Sequence, residues 1–542
     1  MNTQDESKSG ATLAILRSRL ALLDHISASS DRSDISLARN VIQDELLPTA
    51  DSAAAKSILK SRLNELNPVA RLNTDILYRI FESIGKDELV WGLDVSSKYI
   101  GPPTSLSRRL GWIKVSYVCR AWRQTALDHP LLWRNITFRL GVHWAEELLS
   151  RSKAVPIKVT FTSGDPQTWA MPYFAEHLTH TQELTLYFRH PAVQAILLQS
   201  HAPKLEMLTL DLYSRVNRLT SLPTAFSEFS WLCLDRMPCL QTLMIKNTVW
   251  LPFAPEWAAH TNLTLLHIDN SRVDVKLSQL HQGGLVDALS KMPHLEKLFF
   301  NQCLADVTES GPTVTLPHLC RLTIADMVTR VASFIQRLRI VNIALKVAFE
   351  LYSLPDDVSI LQSLMAHQTD FTSPLSQMAI YWTNSGVNTS FWRFENLPPG
   401  VPTAYRSGDK PDLQIRFTCV DPPDIVLSVL PLRHVRVLCV ASTEGWVRDT
   451  WLRAHRQFSN VEHIVAQTAV PTTLIEALFP PPHSPLPGQN NTEVEQTLLA
   501  PRLTLLTLQS ALTPDPTALL ALKAARAKAG CPLEIIVSTE AA

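Results

Sequence analysis

Hydrophobic residues follow two different periods along the chain. In the first 140 residues they recur every three or four positions, which predicts amphipathic helices. From about residue 180 onward they alternate every second position in short runs, which predicts β-strands. The sequence therefore predicts an α/β protein with a helical N-terminal part and a longer part built from short strands and helices.

Residues 1–66 form a leader with three helical patterns. Two of them cover residues 34–47 and 52–66, and the first is a leucine seam. That seam lapses after about two heptads, fewer than a coiled-coil dimer usually needs. The pattern thus favours helices that fold back locally or stay partly disordered, and dimerisation of the leader stays open. The leucines of the seam are Leu13, Leu16, Leu20 and Leu23.

A short and unusually apolar helix is predicted over residues 74–84. Asn73 or Thr74 can cap it, and Asp75 in its first turn is favourable at a helix N-terminus. A helix this short cannot form a core alone, so it must pack on other elements. Its apolar positions are Ile76, Leu77, Ile80, Phe81 and Ile84.

A second apolar segment, residues 112–136, follows a loop-like insert at 85–110. Helical spacing continues until Pro130, which ends the helix. Together the two segments predict a small trihelical domain over residues 67–140, in which Trp122 belongs to the core. The insert either adds contacts or extends into solvent, and we favour solvent. The apolar residues at helical spacing are Val115, Val118, Cys119, Trp122 and Ala126.

A recurring phrase, L-x-x-L-x-L, marks the rest of the chain. Each copy predicts a short strand with one apolar face, which only stacked neighbours can bury together. Helical stretches precede several copies, so the repeating unit is a helix, a turn and a strand. The copies include PKLEMLTL (203–210), PCLQTLMI (238–245), TNLTLLHI (261–268), PHLEKLFF (293–300), PHLCRLTI (317–324) and PRLTLLTL (501–508).

These repeats resemble the leucine-rich-repeat family in an irregular form, across residues 157–540. The resemblance implies a solenoid of stacked parallel strands over a domain spanning 141–542. The Asn/Cys ladder of the family is largely lost. Its expected positions are Tyr213, Thr248, Ser271, Cys303 and Met327.

Between residues 325 and 430 the L-x-x-L-x-L pattern is no longer recognisable. Alternation still predicts strands at 345–351, 377–382 and 413–420, which we interpret as degenerate repeats. A Pro-rich tract at 479–488 reads as a surface loop, and CPLEIIV at 531–537 is expected to close the array.

The trihelical segment resembles the F-box, in particular F-box proteins with irregular leucine-rich repeats of the kind found in mushroom-forming fungi. Asn73 replaces the proline of the family, which affects the expected adaptor contact. Three motifs carry the resemblance: Leu72, Asp75, Ile76, Leu77, Ile80 and Phe81; Val118, Cys119, Trp122 and Arg123; and Pro130, Leu132 and Trp133.

The resemblance implies that the chain docks on a Skp-type adaptor, and through it on a cullin, while the repeats hold an unknown protein substrate for ubiquitination. The residues that this predicts to bind the adaptor are Leu72, Ile76, Leu77, Ile80, Phe81, Val115, Val118 and Trp133.

Strand positions between inward leucines are predicted to form the substrate-binding face, because successive side chains point to opposite sides of a strand. The face mixes charge signs with Met and Phe, which suits a protein partner. Its candidate residues are Met207, Asp211, Met244, Lys246, His267, Asp269, Phe299, Asn301 and Arg321.

Composition narrows the function classes further. The 50 basic and 50 acidic residues cancel, which argues against nucleic acid as a partner. We find no apolar signal segment and no run long enough to span a membrane, so we expect a cytoplasmic or nuclear protein without a membrane partner.

No catalytic, phosphate-binding or metal-binding motif occurs, and the His177–His180 pair lacks a clear third ligand. We therefore predict a non-enzyme without a cofactor or metal. The favoured function is substrate recognition in a ubiquitin ligase, and the alternative is a repeat scaffold with a decayed F-box.

Overall fold

The computed structural model divides into two compact units, Met1–Leu186 and Tyr187–Ala542. Leu13, most of the predicted insert, the Pro-rich tract from residue 481, Tyr213 and Thr248 lie outside the described residues. The structure describes residues 14–46, 53–90, 109–161, 174–187, 201–211, 236–247, 262–271, 282–304, 313–339, 341–342, 345–352, 360, 377–383, 386–392, 411–417, 430, 432–443, 448–453, 458–466, 472–480, 499–509 and 515–538.

The leader has a small hydrophobic core of its own. Helical residues 14–21 pack with helices α1 (Arg32–Leu46) and α2 (Ala53–Glu65). The guanidinium of Arg62 donates hydrogen bonds to the carbonyl oxygens of Leu23 (2.6 Å) and Ile26 (2.9 Å). These bonds hold α2 against the turn that follows residues 14–21. The leader thus folds back on itself. Its core residues are Leu16, Ile26, Ala38, Ile42, Ala55, Leu59 and Leu66.

Residues 67–90 and 109–133, here called the helical module, follow the leader. The segment at 112–129 is not one continuous helix as predicted. Cys119 has an extended backbone (φ −157°, ψ 171°), and its Sγ accepts a hydrogen bond from Trp122 N (3.5 Å). The elements of the module are the 3₁₀ helix Pro68–Arg71, α3 (Thr74–Asp87), the 3₁₀ helix Gly111–Tyr117, α4 (Arg120–Asp128) and the 3₁₀ helix Pro130–Trp133.

The two ends of the insert meet at Gly111. This glycine has φ +54°, and a Cβ atom there would lie 2.4 Å from the carbonyl oxygen of Leu89. Trp112 N donates to Glu88 O (2.9 Å), and Lys114 forms an ion pair with Glu88. The helix α3 runs to Asp87, so the insert begins after it and returns to the same place on the module.

Trp133 anchors the end of the helical module. It is fully buried, its ring centroid lies 5.1 Å from that of Trp112, and its Nε1–H donates to Ala126 O (2.7 Å). The guanidinium of Arg151, on α5 (Val142–Ser152), lies 4.2 Å from the Trp133 ring. These contacts explain why the first compact unit continues past residue 140. It also contains the parallel strands β1 (Asn135–Thr137), β2 (Ile157–Phe161) and β3 (Thr181–Tyr187).

The second unit is built on a mostly parallel sheet with short helices between its strands. Its strands in chain order are β4 (Met207–Asp211), β5 (Thr242–Lys246), β6 (Leu265–Asp269), β7 (Lys297–Asn301), β8 (Val314–Thr315), β9 (Arg321–Asp326), β10 (Leu338–Arg339), β11 (Lys346–Leu351), β12 (Gln377–Thr383), β13 (Gly386–Trp392), β14 (Leu413–Phe417), β15 (Val437–Thr443), β16 (His463–Ala466), β17 (Leu505–Gln509) and β18 (Glu534–Ser538). Its helices are α6 (Gln282–Ser290), α7 (Val328–Gln336), α8 (Arg448–Arg453), α9 (Thr472–Leu478) and α10 (Pro516–Lys528).

The leucines of the repeated phrase form the core of this unit. Strands β4, β5, β6, β7, β9 and β11 pair in parallel and in register, so equivalent residues of successive repeats stand side by side. On the helical side, Phe334 of α7 contacts Phe300 with ring centroids 5.5 Å apart. The stacking is solenoid-like, as the repeat pattern predicts. One inward row consists of Leu208, Leu243, Leu266, Leu298 and Leu322, all buried.

The predicted degenerate repeats between 377 and 420 are not all parallel repeats. β12 and β13 pair antiparallel, and β13 pairs antiparallel with β14. The strand β13 has no predicted counterpart. Only two residues, Asn384 and Ser385, separate β12 from β13, and Gly386 follows them. This short separation is a hairpin signal, which the interpretation as degenerate repeats left out.

Polar residues lie one position before several of the predicted ladder positions. Asn247 and Asn270 are buried, and their backbone N–H groups donate to Asp269 O (2.6 Å) and Asn301 O (2.8 Å) on the next strand. Gln302 N repeats this bond to Ala325 O (2.7 Å), and the buried Asp326 occupies the same place after β9. These bonds come from backbone N–H groups, so the loss of the side-chain ladder at the predicted positions stays a prediction.

The C-terminal repeats are held by a buried arginine. Arg526 on α10 donates to the carbonyl oxygens of Leu478 (3.3 Å), Leu499 (3.2 Å) and Ala500 (2.9 Å). Burial lowers the pKa of its guanidinium. Strand β18 follows and pairs in parallel with β17, so the segment 531–537 forms the last strand of the sheet, as expected.

Candidate functional site

Helix α3 is fixed in place by its N-cap and its buried face. Asn73 Oδ1 accepts a hydrogen bond from Ile76 N (2.9 Å), and Asp75 lies in the first turn. Leu77 and Phe81 are buried, and the Phe81 ring lies 5.2 Å from that of Trp122. Asparagine therefore supports the start of this helix in place of a proline.

The outward face of α3 is apolar. Ile76 is 45% exposed and Ile80 is 36% exposed, and residues four apart are neighbours on a helix surface. On the following segment Val118 is 56% exposed. The helical module thus completes its own core and still leaves branched aliphatic side chains in contact with solvent.

The structure divides the residues predicted to bind an adaptor. Ile76, Ile80 and Val118 are exposed, and Leu72 is half-buried. Leu77, Phe81, Val115 and Trp133 are buried, so these four cannot contact a partner while the module is folded. All four belong to a core that also contains Leu110, Trp112, Ile113 and Leu132. Buried positions are Leu77 (5% exposed), Phe81 (0%), Val115 (3%) and Trp133 (0%).

Sequence reasoning missed some exposed apolar residues of the module, among them Tyr117 and Leu131. Both lie beside the predicted positions. Helical spacing placed neither on an outward face, because residues 111–117 and 130–133 form 3₁₀ turns with a different period.

A second candidate surface is the sheet face opposite the leucines. Register pairing arranges its side chains in three rows that cross the strands. The first row contains Met207, Thr242, Leu265, Lys297, Arg321 and Lys346; the second contains Thr209, Met244, His267, Phe299, Thr323 and Ala348; the third contains Asp211, Lys246, Asp269, Asn301, Ala325 and Glu350. All nine residues predicted to bind a substrate lie in these rows.

Several of these residues have structural partners. Asp211 is buried and accepts a hydrogen bond from Asn247 Nδ2 (2.6 Å), so it is a poor contact for a ligand. Asn301 Oδ1 accepts from Tyr352 OH (2.9 Å), and burial raises the pKa of Tyr352 to about 12. The prediction of a ligand-contacting role for Asp211 is therefore corrected. Met207, Met244, Lys246, His267, Asp269, Phe299 and Arg321 are half-buried and open to solvent.

A buried polar network lies at the end of β9. The Asp326 carboxylate accepts hydrogen bonds from Leu304 N (2.9 Å) and Met327 N (2.8 Å), and Arg330 Nη1 lies 3.5 Å from it. Burial raises the pKa of Asp326 although these donors oppose the shift. Burial also raises the pKa of the adjacent Cys303 thiol well above its usual value.

The raised pKa of Asp326 predicts a pH dependence of stability. The native state holds this proton to a higher pH than the unfolded state, so native protein binds more protons and loses stability as pH rises through the folded pKa. We expect the protection of the 321–326 amides in the wild type, relative to Asp326→Asn, to fall as pH rises above about 4. Hydrogen exchange measured on both proteins at each pH checks this. A ratio that increases with pH would mean that the donors around Asp326 dominate burial.

The described residues provide no metal centre. None of them forms a group of three or more His, Cys, Asp or Glu side chains suited to a metal ion. His177 Nδ1 and His180 Nε2 lie 3.3 Å apart, and burial lowers the pKa of His177. In the part of the chain that the structure describes, no helix is long and apolar enough to cross a membrane.

Comparison with known proteins gives little beyond this geometry. No protein-family model matches the chain. No curated protein matches it either. Among solved structures, the chain is similar to "Crystal structure of Rad7 and Elc1 complex in yeast", with 12% sequence identity, a TM-score of 0.33, and coverage of 94% of this chain and 98% of that chain.

Proposed function

We propose that the chain is the substrate-recognition subunit of a cullin–RING ubiquitin ligase. In this proposal residues 67–133 act as an F-box that docks on a Skp-type adaptor, and the strand rows of the second unit bind the target protein. The chain itself performs no bond chemistry. It raises the concentration of a target lysine near the ubiquitin carrier that the ligase holds.

One observation carries the proposal. Ile76 and Ile80 stay exposed on a module whose core is already filled by Leu77, Phe81 and Trp133. Burial of an isoleucine side chain contributes about 1.5–3 kcal/mol, so leaving two beside each other in water forgoes a sizeable stabilisation. A helix of a partner packed on this face would recover it.

The target-binding half rests on the three rows. Their half-buried side chains include both charge signs together with Met244 and Phe299. Mixed polar and apolar surfaces of this kind are typical of protein interfaces. A uniform polyanion would meet acidic as well as basic side chains on the same face.

The alternative is a repeat scaffold whose F-box no longer docks. Asn73 favours it, because this residue stands where the F-box family has a proline and its side chain is used to cap α3. A scaffold of this kind binds a partner through the second unit and has no ligase adaptor.

Co-purification separates the two functions. Full-length chain is co-expressed with a Skp-type adaptor and purified through a tag on the chain. We expect a complex that survives size-exclusion chromatography at micromolar concentration. A chain that elutes without the adaptor, with the amides of α3 protected from hydrogen exchange as in a folded module, would overturn the ligase proposal in favour of the scaffold.

A further inference from the structure

Three basic side chains stand directly opposite one another on neighbouring strands. Lys297 of β7 is the register partner of Arg321 of β9, and Arg321 is the register partner of Lys346 of β11. Neighbouring strands lie about 4.8 Å apart. Like charges directly opposite each other destabilise a sheet, and here the arrangement occurs twice in succession.

Among the described residues, no carboxylate lies within ion-pair distance of Lys297 or Arg321. Lys346 differs, because it takes part in a further contact within the protein. The inference therefore rests on Lys297 and Arg321.

The adjoining row is apolar beside these cations. Phe299 and His267 form a ring pair with centroids 5.4 Å apart. Burial lowers the pKa of His267, with Lys246 adding to the shift and Asp269 opposing it, so the ring is neutral at neutral pH. Across the next two strands the same row contains the small side chains of Thr323 and Ala348.

We propose that this part of the sheet face binds an acidic segment of a target protein. Its carboxylates would pair with Lys297 and Arg321, and an apolar residue next to them would rest on Phe299 and His267. Lys297 and Arg321 lie on neighbouring strands about 4.8 Å apart, within the length of two residues of an extended peptide, so the acidic side chains belong to one short run. This inference rests on the proposed function and names the chemistry that its target-binding surface selects.

The rest of the face favours a short acidic segment over a long polyanion. Asp269 and Glu350 lie on the same face in the third row. A nucleic acid that crossed the sheet would bring phosphates near these carboxylates, whereas a peptide can carry its charge at one place. The chain also has no net positive charge to attract a polyanion from a distance.

The test is the substitution Arg321→Glu in the full-length chain. Binding of a fluorescein-labelled peptide with a Glu-Glu-Asp-Leu core is measured by anisotropy, with a Gln-Gln-Asn-Leu peptide for comparison. We expect the wild type to prefer the acidic peptide and Arg321→Glu to weaken its binding roughly tenfold or more. The same substitution places an acid between Lys297 and Lys346, so the melting temperature should stay the same or rise.

The matched control is Arg339→Glu, which makes the same charge change at an exposed residue of β10 in a separate two-stranded sheet. We expect it to leave peptide binding unchanged. The inference is overturned if the wild type binds both peptides equally or if Arg321→Glu retains acidic-peptide binding. It is also overturned if that variant melts at a lower temperature and loses binding through unfolding. A single-stranded oligonucleotide that displaces the peptide at lower concentration than unlabelled peptide does would overturn it as well.

Adaptor capture is measured on the same variants. A wild type that captures the adaptor and ignores the acidic peptide would end this inference and leave the proposed function in place. A wild type that binds the peptide through Arg321 without capturing the adaptor would support the acidic-segment site and end the ligase proposal.

Discussion

The double substitution Ile76→Asp with Ile80→Asp is expected to abolish capture of a Skp-type adaptor while the chain stays folded. Each side chain is exposed, so a carboxylate at either place remains solvated in the free protein. In a complex the same carboxylate would be desolvated against an apolar partner surface. Hot-spot residues at the centre of an interface contribute about 2 kcal/mol or more each, so the pair should weaken binding by roughly 1,000-fold.

The leader offers a control of matched chemistry. Leu37 and Val41 of α1 are also an exposed aliphatic pair four residues apart, with 63% and 42% of their surfaces exposed. Leu37→Asp with Val41→Asp should leave adaptor capture unchanged. Isothermal titration measures adaptor binding by each variant. If Ile76→Asp with Ile80→Asp still binds the adaptor, the face of α3 is not the docking surface. If Leu37→Asp with Val41→Asp loses adaptor binding, the docking surface lies on the leader.

Trp133→Ala should unfold the helical module. The substitution removes a fully buried indole, its contacts with Trp112 and Arg151, and the hydrogen bond to Ala126 O. Large aromatic-to-alanine changes in a core cost about 3–5 kcal/mol, a large share of the stability of a typical domain. We expect amides in 109–133 to exchange hydrogen much faster, and adaptor capture to fail as a consequence.

Tyr117→Ala is the comparison for this experiment, because it also removes a large aromatic ring from the module but from an exposed position. It should leave the exchange rates nearly unchanged. If Trp133→Ala keeps its exchange protection and still loses the adaptor, the indole must contact the partner directly, and its assignment to the core would be the error.

The sequence predicted the stacking of the repeats well, because leucine alternation depends on a local period that the sheet preserves. Leu243, Leu266 and Leu298 are buried in one row as their spacing requires. The outward rows follow from the same alternation. What the sequence could not supply was the pairing of strands far apart along the chain, such as β11 with β14 and β12 with β15.

The sequence was a poorer guide to the helical module. Apolar spacing identified the residues of α3 that either pack in the core or face outward, but it could not tell the two groups apart. Leu77 and Ile80 are three positions apart, and one is buried while the other is exposed. Which side faces inward depends on where Trp122 and Trp133 lie, and those positions depend on the break at Cys119 that periodicity does not reveal.

The hairpin of β12 and β13 divides the repeat array of the second unit into two stretches. In a solenoid each repeat is stabilised by its neighbours, so order spreads along the stack from one repeat to the next. The hairpin Gln377–Trp392 forms through contacts between residues close in sequence. Its formation therefore costs less loop-closure entropy than pairing between distant repeats does. Folding that starts at this hairpin can extend through β14 toward β11 on one side and through β15 on the other. We therefore expect the two stretches of the array to behave as two cooperative blocks.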